Sequence, residues 1–528
     1  MEAQPAVNRS DTSQQQRIAT DAPDAPFALL RGAQAGLRCA ARMTEIWSVR
    51  GSGTIGVAGA QAERLDALVA AARADSPFYR DRYRDLPPGR LRLAQLPVVT
   101  KRELMARFDD WVTDPAVTRA GVDAFLADRS RIGERFLDRY LVWKSSGTTG
   151  EPGIFVQGDD ALSVYDALLL AQLRSPPLAG GFACGWWLHS GRSALIAATG
   201  EHFASISSWV RQARDNAWPA ACALSVLDPV HEWVAALNRF QPGFLASYPT
   251  VLALLAGEQV AGRLRIAPDM AWSGGERMAP ATRAAIASAF GCPVVNEYGA
   301  SECMSIAHGC EAGWLHVNAD WVVLEPVDAR YRPTPAGATS HTTLLTNLAN
   351  TVQPLIRYDI GDRVTVRSGP CQCGNPLPAV RVEGRCDDVL VLADAAGRSV
   401  PLLPLALTTV VEEAGGLHRF QVLQRARDAI SLRFDDSEPG CTATRRHATI
   451  AALRTFLRRH ALSNVALTQE VRPLAMDPAS GKFRQVIAAP ARPTLTAIKA
   501  GTAAPVHNEK GRLRRRGRRF PEGGRHQD

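Results

Sequence analysis

Residues 144–152 read Lys-Ser-Ser-Gly-Thr-Thr-Gly-Glu-Pro, a loop of small and hydroxylated residues that follows a strand-like segment. That segment, Arg139–Lys144, is predicted to be a strand because Leu141, Val142 and Trp143 supply apolar and aromatic content. Ile154–Gln157 predicts a second strand, so the loop would lie on a hairpin. Glycines allow backbone N–H groups to approach an anion, and the hydroxyls add donors. The pattern predicts a phosphate-binding loop; a flexible surface turn is the alternative.

The loop differs from a Walker motif in two ways. It lacks the Gly-Lys-Ser/Thr ending, and a strand rather than a helix is predicted after it. Four further motifs follow it along the chain: Asn-Glu-Tyr-Gly-Ala-Ser-Glu (296–302), Arg-Tyr-Asp-Ile-Gly-Asp (357–362), Gly-Arg-Cys-Asp-Asp (384–388) and Ser-Gly-Lys-Phe (480–483). Together, in this order, the five segments indicate an enzyme that activates a carboxylate with ATP.

The five motifs resemble those of the adenylate-forming superfamily, and within it those of the phenylacetate-CoA ligase family with its deazaflavin-coenzyme adenylating branch. Ser76-Pro-Phe-Tyr-Arg80 and Leu96-Pro-Val-Val-Thr-Lys-Arg-Glu103 are also typical of that family. The resemblance covers roughly residues 60 to 490. It implies a large α/β domain that binds ATP and the acid, followed by a smaller, mobile α+β domain.

The resemblance also implies a role for each matching residue. The loop Ser145, Ser146, Gly147, Thr148, Thr149 and Gly150 would wrap the β- and γ-phosphates. The rest of the predicted ATP site comprises Gly274, Gly275 and Glu276 beside the adenine, Asn296 and Tyr298 on the adenine with Gly299 following, Ser301 near the α-phosphate, and Asp362 and Arg385 at the ribose. Glu302 would hold Mg²⁺, and Asp387 would be the hinge between the domains. Ser247, Tyr248 and Ala300 are the candidate residues of the acid pocket. Trp186, Trp187, His189 and Trp272 belong to the region that usually builds this pocket, with a place in the core as the alternative.

Lys482 is the predicted catalytic cation. The carboxylate and the α-phosphate are two anions that must approach each other, and a compact ammonium can bridge them where a flat guanidinium would fit poorly. The chain has only five lysines, at 101, 144, 482, 499 and 510, against 56 arginines. Because lysine is so rare in this chain, the lysine of Ser-Gly-Lys-Phe favours a functional role; an exposed lysine in a turn is the alternative. Many relatives have a lysine just after the Gly-rich loop; here Glu151-Pro-Gly follows, and Lys144 is the candidate replacement.

Cysteine and histidine residues predict a structural zinc site. Residues 1–13 are polar and lack the apolar core of a secretory signal, which favours a reducing cytoplasm and metal ligands over disulfides. Cys371-Gln-Cys373 and the pair Cys310 and His316 would give three thiolates and one imidazole, as several phenylacetate-CoA ligase relatives have. Two rival ligands, Cys303 and His308, are close in sequence, and unconnected buried thiols are the alternative to any metal site.

Composition is ordinary for a globular protein, with 46% hydrophobic and 21% charged residues, and no run approaches the length of a membrane span. The 528 residues predict several parts: an extension expected to be flexible (1–58), a large domain (59–386), a small domain with Lys482 (387–489) and a disordered basic tail (490–528). The tail carries +7 of the net charge of +9. Predicted helices include 62–74, 159–174 and 444–462, the last with Thr444 as cap.

The predicted function is therefore ATP- and Mg²⁺-dependent adenylation of an acid, aromatic by resemblance, followed by acyl transfer to coenzyme A or to the phosphopantetheine thiol of a carrier protein. Two alternatives remain: nucleotidyl transfer to a phenolic hydroxyl, and nucleotide binding without catalysis. Near-neutral charge before the tail argues against a specific nucleic-acid partner. The acid, the thiol and the oligomeric state stay open at this point.

Overall fold

The structure is a computed structural model that describes residues 25–145, 152–173, 191–215, 220–382, 389–438, 440–475 and 484–488. Helices and sheets alternate through these residues, which confirms the predicted α/β fold class. Residues up to Ala489 belong to one compact unit, and the second unit, Pro490–Asp528, lies outside the described residues. Among the described helices, none is long and apolar enough to cross a membrane.

The first part of the described chain is helical: α1 (Ala25–Gly51), α2 (Gly53–Asp75), α3 (Pro77–Arg82), α4 (Lys101–Ala106), α5 (Phe108–Trp111) and α6 (Arg119–Ala127). Residues 25–58, predicted to be a flexible extension, are therefore helical and packed. Ile46 is fully buried, and the guanidinium of Arg50 donates to the buried Asp320 carboxylate at 2.9 Å. An ion pair with a distant residue and a buried isoleucine hold this segment on the body.

Strands and helices then alternate. The strands of the body are β1 (Arg135–Phe136), β2 (Tyr140–Lys144), β3 (Ile154–Gln157), β4 (Arg192–Ala197), β5 (Ala220–Ser225), β6 (Phe244–Ser247), β7 (Met270–Ser273), β8 (Val294–Ala300), β9 (Cys303–Gly309), β10 (Leu315–Val317), β11 (Val322–Val327), β12 (Thr342–Asn347), β13 (Leu355–Asp359), β14 (Val364–Val366) and β15 (Ala379–Val382). The helices among them are α7 (Asp159–Leu173), α8 (Ala204–Arg214), α9 (Val230–Phe240), α10 (Pro249–Val260) and α11 (Pro280–Phe290).

The largest sheet has the strand order β14-β15-β10-β9-β8-β7-β6-β4-β5. Its strands β5, β4, β6, β7 and β8 are parallel, whereas β8 pairs with β9 antiparallel, as do the pairs that follow out to β14. Strands β6 and β7 are buried throughout, as expected for parallel strands covered by helices on both faces. Smaller sheets are formed by β1-β2-β3 and by β11-β12-β13.

The last part of the described chain, which belongs to the same compact unit, combines short strands with two helices. It contains β16 (Leu390–Ala393), β17 (Ser399–Leu402), α12 (Pro404–Gly415), β18 (Phe420–Ala426), β19 (Ala429–Phe434), α13 (Ala443–Arg459), β20 (Ala466–Gln469) and β21 (Val486–Ile487). The helix predicted from Thr444 begins at Ala443, and its cap is Thr442, whose hydroxyl accepts from the Arg445 N–H at 3.3 Å. Thr444 lies inside the first turn, where a side-chain oxygen cannot cap the helix.

Candidate active site

A cleft of about 740 Å³ lies at the carboxyl ends of β4, β6, β7 and β8. Ligands of open α/β sheets bind outside the carboxyl ends of the strands. Predicted site residues from five separate segments of the chain line this cleft: Ser145, Ser247 and Tyr248, Gly274 to Glu276, Gly299 to Glu302, and Asp362. They meet because the parallel strands are in register, with Ser247 of β6 opposite Ser273 of β7.

Gly275 and Tyr248 form one wall of the cleft. Gly275 has a φ of +79°, and a Cβ there would lie 3.1 Å from the Tyr248 ring. Both the backbone conformation and the space therefore require glycine. Beside it, Glu276 is fixed by Thr250, whose hydroxyl and N–H donate to the carboxylate at 2.8 and 3.2 Å. The Tyr248 hydroxyl accepts from the Ala198 N–H at 3.3 Å, and Ser247 donates to the Ile196 carbonyl at 2.7 Å.

The segment Gly299–Glu302 forms the turn between β8 and β9. A Cβ on Gly299 would lie 2.0 Å from the Met304 carbonyl oxygen, so the turn closes only around glycine. Glu302 is buried at 9% exposure, and its carboxylate accepts from the Tyr358 hydroxyl at 2.9 Å. Burial raises the pKa of Glu302, an effect that Lys101 and the Tyr358 bond oppose. Carboxylate oxygens are the hard ligands that a divalent ion such as Mg²⁺ takes in proteins.

Asp362 lies on the opposite side of this turn, in the loop after β13. Its carboxylate accepts from the Tyr298 hydroxyl at 2.7 Å. The strand that leads to it is distorted: Arg357 has a φ of +52°, and the pairing of β12 with β13 is irregular between Leu345 and Asn347. Such conformations cost free energy and cluster at functional sites. Here the distorted strand and the loop after it carry Tyr358 and Asp362, which line the cleft.

Neighbouring residues of β8 face opposite sides of the sheet, and this decides which of them line the cleft. Glu297 and Gly299 line it. Asn296 and Tyr298, the predicted adenine contacts, are not among its lining residues, although Tyr298 reaches the cleft edge through its bond to Asp362. Side chains alternate with a period of two along a strand. The sequence motif identified this strand but not the face that Glu297 occupies.

Ser145 lies at the base of the predicted phosphate loop. Its N–H donates to the Gly153 carbonyl at 2.8 Å, and its hydroxyl accepts from the Gly153 N–H at 2.7 Å. The base of the loop is thus closed between β2 and β3, as the predicted hairpin requires. Lys144, the suggested replacement for a loop lysine, forms an ion pair with Glu201 at 2.5 Å. Its ammonium is engaged by a carboxylate at the base of the loop.

Lys101 is a cleft residue for which the sequence suggested no role. It lines the cleft together with Thr100 and Arg102, and its charge acts on Glu302. The backbone explains its position: Val99 donates to the Arg357 carbonyl at 3.1 Å and accepts from the Asp359 N–H at 2.9 Å. Lys101 then begins α4, which Thr100 caps. The signal in the sequence was the lysine of the 96–103 motif.

The remaining predicted residues lie outside the described part of the chain. They are the loop residues Ser146, Gly147, Thr148, Thr149 and Gly150, the ribose residue Arg385, the hinge Asp387, the catalytic Lys482, and Trp186, Trp187 and His189 near the acid pocket.

A second cluster lies between β9, β10 and the loop before β15. The ligand atoms of Cys310, His316, Cys371 and Cys373 lie within 4.8 Å of one another. The Cys310 and Cys371 sulfurs are 3.8 Å apart, close to the roughly 3.8 Å between two thiolates of a tetrahedral site with Zn–S bonds of about 2.3 Å. His316 Nε2 lies 3.1 Å from the Cys373 sulfur, while Nδ1 lies 2.9 Å from the Leu377 carbonyl. A carbonyl partner on Nδ1 leaves Nε2 available to a metal.

The two rival ligands are elsewhere. His308 Nδ1 lies 3.2 Å from the Asn318 side-chain oxygen, and its Nε2 lies 3.4 Å from the Asn375 amide nitrogen. Cys303 is buried at 1% exposure, where burial raises its pKa to about 12 and Tyr165 is its hydrogen-bond partner. Three cysteines and one histidine therefore form a closed donor set that fits zinc, and its members are the four residues that the sequence favoured.

Comparisons with known proteins were made for the whole chain. No protein-family model matches it. A curated relative, the protein CapK of Staphylococcus aureus, is 28% identical over 138 residues, which are 26% of this chain and 29% of CapK. The chain thus matches less than a third of the length of that relative.

Solved structures give longer alignments at lower identity. A 2-hydroxyisobutyryl-CoA ligase with 2-HIB-AMP and CoA aligns with a TM-score of 0.49 and 20% identity, over 81% of this chain and 89% of the ligase. The adenylation domain AlmE of Vibrio cholerae, with glycyl-adenosine-5′-phosphate, aligns with a TM-score of 0.37 and 16% identity, over 63% of each chain.

Proposed function

We propose that this chain is an adenylate-forming acid–thiol ligase of the phenylacetate-CoA ligase type. The observation that supports it best is the convergence of predicted site residues from five separate segments of the described chain on one cleft at the carboxyl ends of parallel strands. Its substrates would be ATP, a small carboxylic acid and a thiol, either coenzyme A or a carrier-protein phosphopantetheine. Its products would be the thioester, AMP and pyrophosphate.

In the first half-reaction a carboxylate oxygen attacks the α-phosphorus of ATP, and pyrophosphate leaves. Charge accumulates where anions already meet, so fixed cations in a cleft of low dielectric constant are required. Glu302 would hold Mg²⁺, which neutralises phosphate charge when bound. Lys101 stands beside Glu302 and would supply a second cation to the phosphates, in place of the lysine that the Gly-rich loop lacks.

Other cleft residues would orient the nucleotide. Gly274, Gly275 and Glu276 would form a wall beside the adenine, and the Asp362 carboxylate can accept two hydrogen bonds from the ribose hydroxyls. Tyr298 already donates to one Asp362 oxygen and would hold the carboxylate in place. Positioning of this kind converts a reaction between two bound partners into an effectively unimolecular step.

Lys482 would bridge the attacking carboxylate and the α-phosphate, as its sequence motif predicts. After adenylation, rotation at Asp387 would change the face of the small domain that covers the cleft, and the thiol would attack the acyl carbonyl and expel AMP. A Lys482→Ala variant is therefore expected to lose pyrophosphate exchange and to retain thioester formation from a supplied acyl-adenylate. Unchanged exchange in this variant would contradict the role.

The Cys310, His316, Cys371 and Cys373 cluster would bind one structural Zn²⁺ per chain. With four protein ligands no position remains for a substrate, so the metal would connect the β9–β10 turn to the loop before β15. The site would thereby fix the strands that follow Glu302 and precede the hinge, without contact with the reacting atoms.

Thiol-dependent release of AMP tests the complete proposal. Purified protein with ATP, Mg²⁺ and an active acid should release AMP slowly, and addition of coenzyme A or a phosphopantetheinylated carrier should raise turnover by at least an order of magnitude. Formation of a stable adenylated phenol without any thiol effect would instead indicate nucleotidyl transfer to a hydroxyl.

A further inference from the structure

A second, smaller cavity adjoins the cleft. Its volume is about 120 Å³, and it shares Ser205, Ala246, Trp272, Glu297 and Met304 with the lining of the cleft. The two spaces are therefore neighbours with a common wall. If the proposed function holds, the side chain of the acid is the part of the substrate that would occupy this space.

One side of the cavity is aromatic. The Phe244 ring lies 6.4 Å from that of Trp209, nearly parallel to it, and 6.3 Å from that of Trp272. An engineered apolar cavity of about 150 Å³ binds benzene. A cavity of about 120 Å³ walled by aromatic side chains therefore fits a group no larger than a single ring.

Glu297 brings a carboxyl group to the wall of this cavity. It is partly exposed, and because it lines both spaces, its exposed part faces a ligand-sized cavity. The Ser305 hydroxyl donates to it at 2.5 Å, and the Trp272 side chain is a second hydrogen-bond partner. A carboxylate has about four acceptor positions, so capacity remains for a donor on a ligand. Burial raises the pKa of Glu297 to about 7.

The other charged groups of the cavity are already paired. The Arg211 guanidinium donates to Asp166 at 2.6 Å and forms a longer ion pair with Asp215 at 3.5 Å. Gln212 also donates to Asp166, at 2.8 Å. The only described cation of the cavity lining is thus neutralised by two carboxylates, and a second anionic group on the acid would find no counter-charge among the described residues of this lining.

We propose that Glu297 determines specificity, and that the enzyme adenylates a single-ring acid that carries a hydroxyl or amino donor away from its carboxylate. The ring contacts Trp209, Phe244 and Trp272, and the donor bonds to the Glu297 carboxyl. A site that offers a polar partner discriminates, because an analogue without the donor leaves the remaining acceptor positions of the Glu297 carboxyl unfilled in a cavity from which it displaces water. Dicarboxylic and two-ring acids are excluded by charge and by volume.

The test is ATP–pyrophosphate exchange with a matched series: benzoate and its hydroxy, amino and methyl derivatives at the 3 and 4 positions, with a naphthoate and a phthalate for size and charge. Wild-type protein is expected to prefer the best hydroxy or amino acid over its methyl analogue by about 10²-fold or more in kcat/KM. The hydroxy and amino arms identify which donor is used.

Two variants separate the role of Glu297 from a role in folding. Glu297→Gln keeps an acceptor and should retain most of the preference, whereas Glu297→Leu should reduce it at least tenfold, with the methyl acid unaffected or improved. AMP binding, measured by its thermal shift, should be the same in both variants. Glu232→Leu on α9, remote from the cavity lining, is the matched control for the loss of a glutamate and should keep the wild-type preference.

The outcomes distinguish this inference from the proposed function. If wild type and Glu297→Leu both exchange pyrophosphate as fast or faster with the methyl acids as with the hydroxy and amino acids, Glu297 does not determine specificity, but the proposed adenylation activity is retained. If the protein is stabilised by AMP and yet exchanges pyrophosphate with no acid, the proposed function is wrong, and the inference about Glu297 is wrong with it.

Discussion

The two halves of the largest sheet serve different chemistry. In the parallel half, the carboxyl ends of β4, β6, β7 and β8 share one edge, so residues far apart in sequence face an open cleft. In the antiparallel half, the β9–β10 turn and the loop before β15 bring Cys310, His316, Cys371 and Cys373 into a closed group. The open cleft suits ligands that bind and leave, whereas a set of four protein ligands suits a retained metal ion. Changes in the first should therefore alter turnover, and changes in the second should alter stability.

The largest expected effect concerns Glu302 in the parallel half. Glu302→Gln preserves shape and an acceptor for the Tyr358 hydroxyl but removes the charge that would hold Mg²⁺. We expect adenylation to fall by about 10²- to 10³-fold, as for the loss of one preorganised electrostatic contact. Steady-state pyrophosphate exchange measures the loss, and thermal unfolding with zinc analysis provides the control. Wild-type turnover in this variant would remove Glu302 from the mechanism.

The converse change lies in the antiparallel half. His316→Ala removes a ligand from the cluster, so bound zinc should fall from about one per chain to none. The free energy of unfolding should decrease by about 3 kcal/mol, because metal binding contributes to folding. Metal analysis and thermal melts measure both quantities. His308→Asn is the matched control, since His308 lies outside the cluster and should leave zinc bound. If His316→Ala retains zinc, the assigned ligand set is wrong.

Two lysines near the phosphate loop allow a sharper test of the cleft. Lys101→Met should raise the KM for ATP about 10- to 150-fold, since a charge-assisted hydrogen bond contributes about 1.5–3 kcal/mol. Lys144→Met should change it little, because Lys144 pairs with Glu201 and its loss would act on the stability of the loop base. Kinetics across ATP concentrations distinguishes the two. Equal effects would show that Lys101 has no special relation to the phosphates.

The smallest effect is a pH dependence of Mg²⁺ activation. Burial raises the pKa of Glu302, so the carboxyl is protonated at a higher pH than an ordinary glutamate. As the pH falls through that raised value, protons compete with Mg²⁺, and the apparent Mg²⁺ affinity should fall by up to about tenfold per pH unit. Titrations of activity with Mg²⁺ at several pH values measure this. The remaining activity of Glu302→Gln should lack this component; the same slope in both proteins would assign the titration to another group.

Several residues that line the cleft and the four residues of the cysteine–histidine cluster could be named from sequence motifs, because they belong to short segments at the ends of strands. Lys101 was missed as a site residue because its position depends on a backbone bridge between Val99 and Tyr358, a contact that spacing along the chain does not reveal. Glu297 was missed because a motif gives the order of residues and not the face of the strand. The helix Ala25–Gly51 was missed because its anchor, Asp320, is distant in sequence.

The decisive measurement is acid-dependent exchange of pyrophosphate into ATP, because it reports the adenylation step without any thiol. We expect exchange that requires Mg²⁺ and a single-ring carboxylic acid, and that is lost in Glu302→Gln and kept in His308→Asn. Folded protein that binds ATP but exchanges no pyrophosphate with any acid would contradict the assignment of the cleft to carboxylate activation.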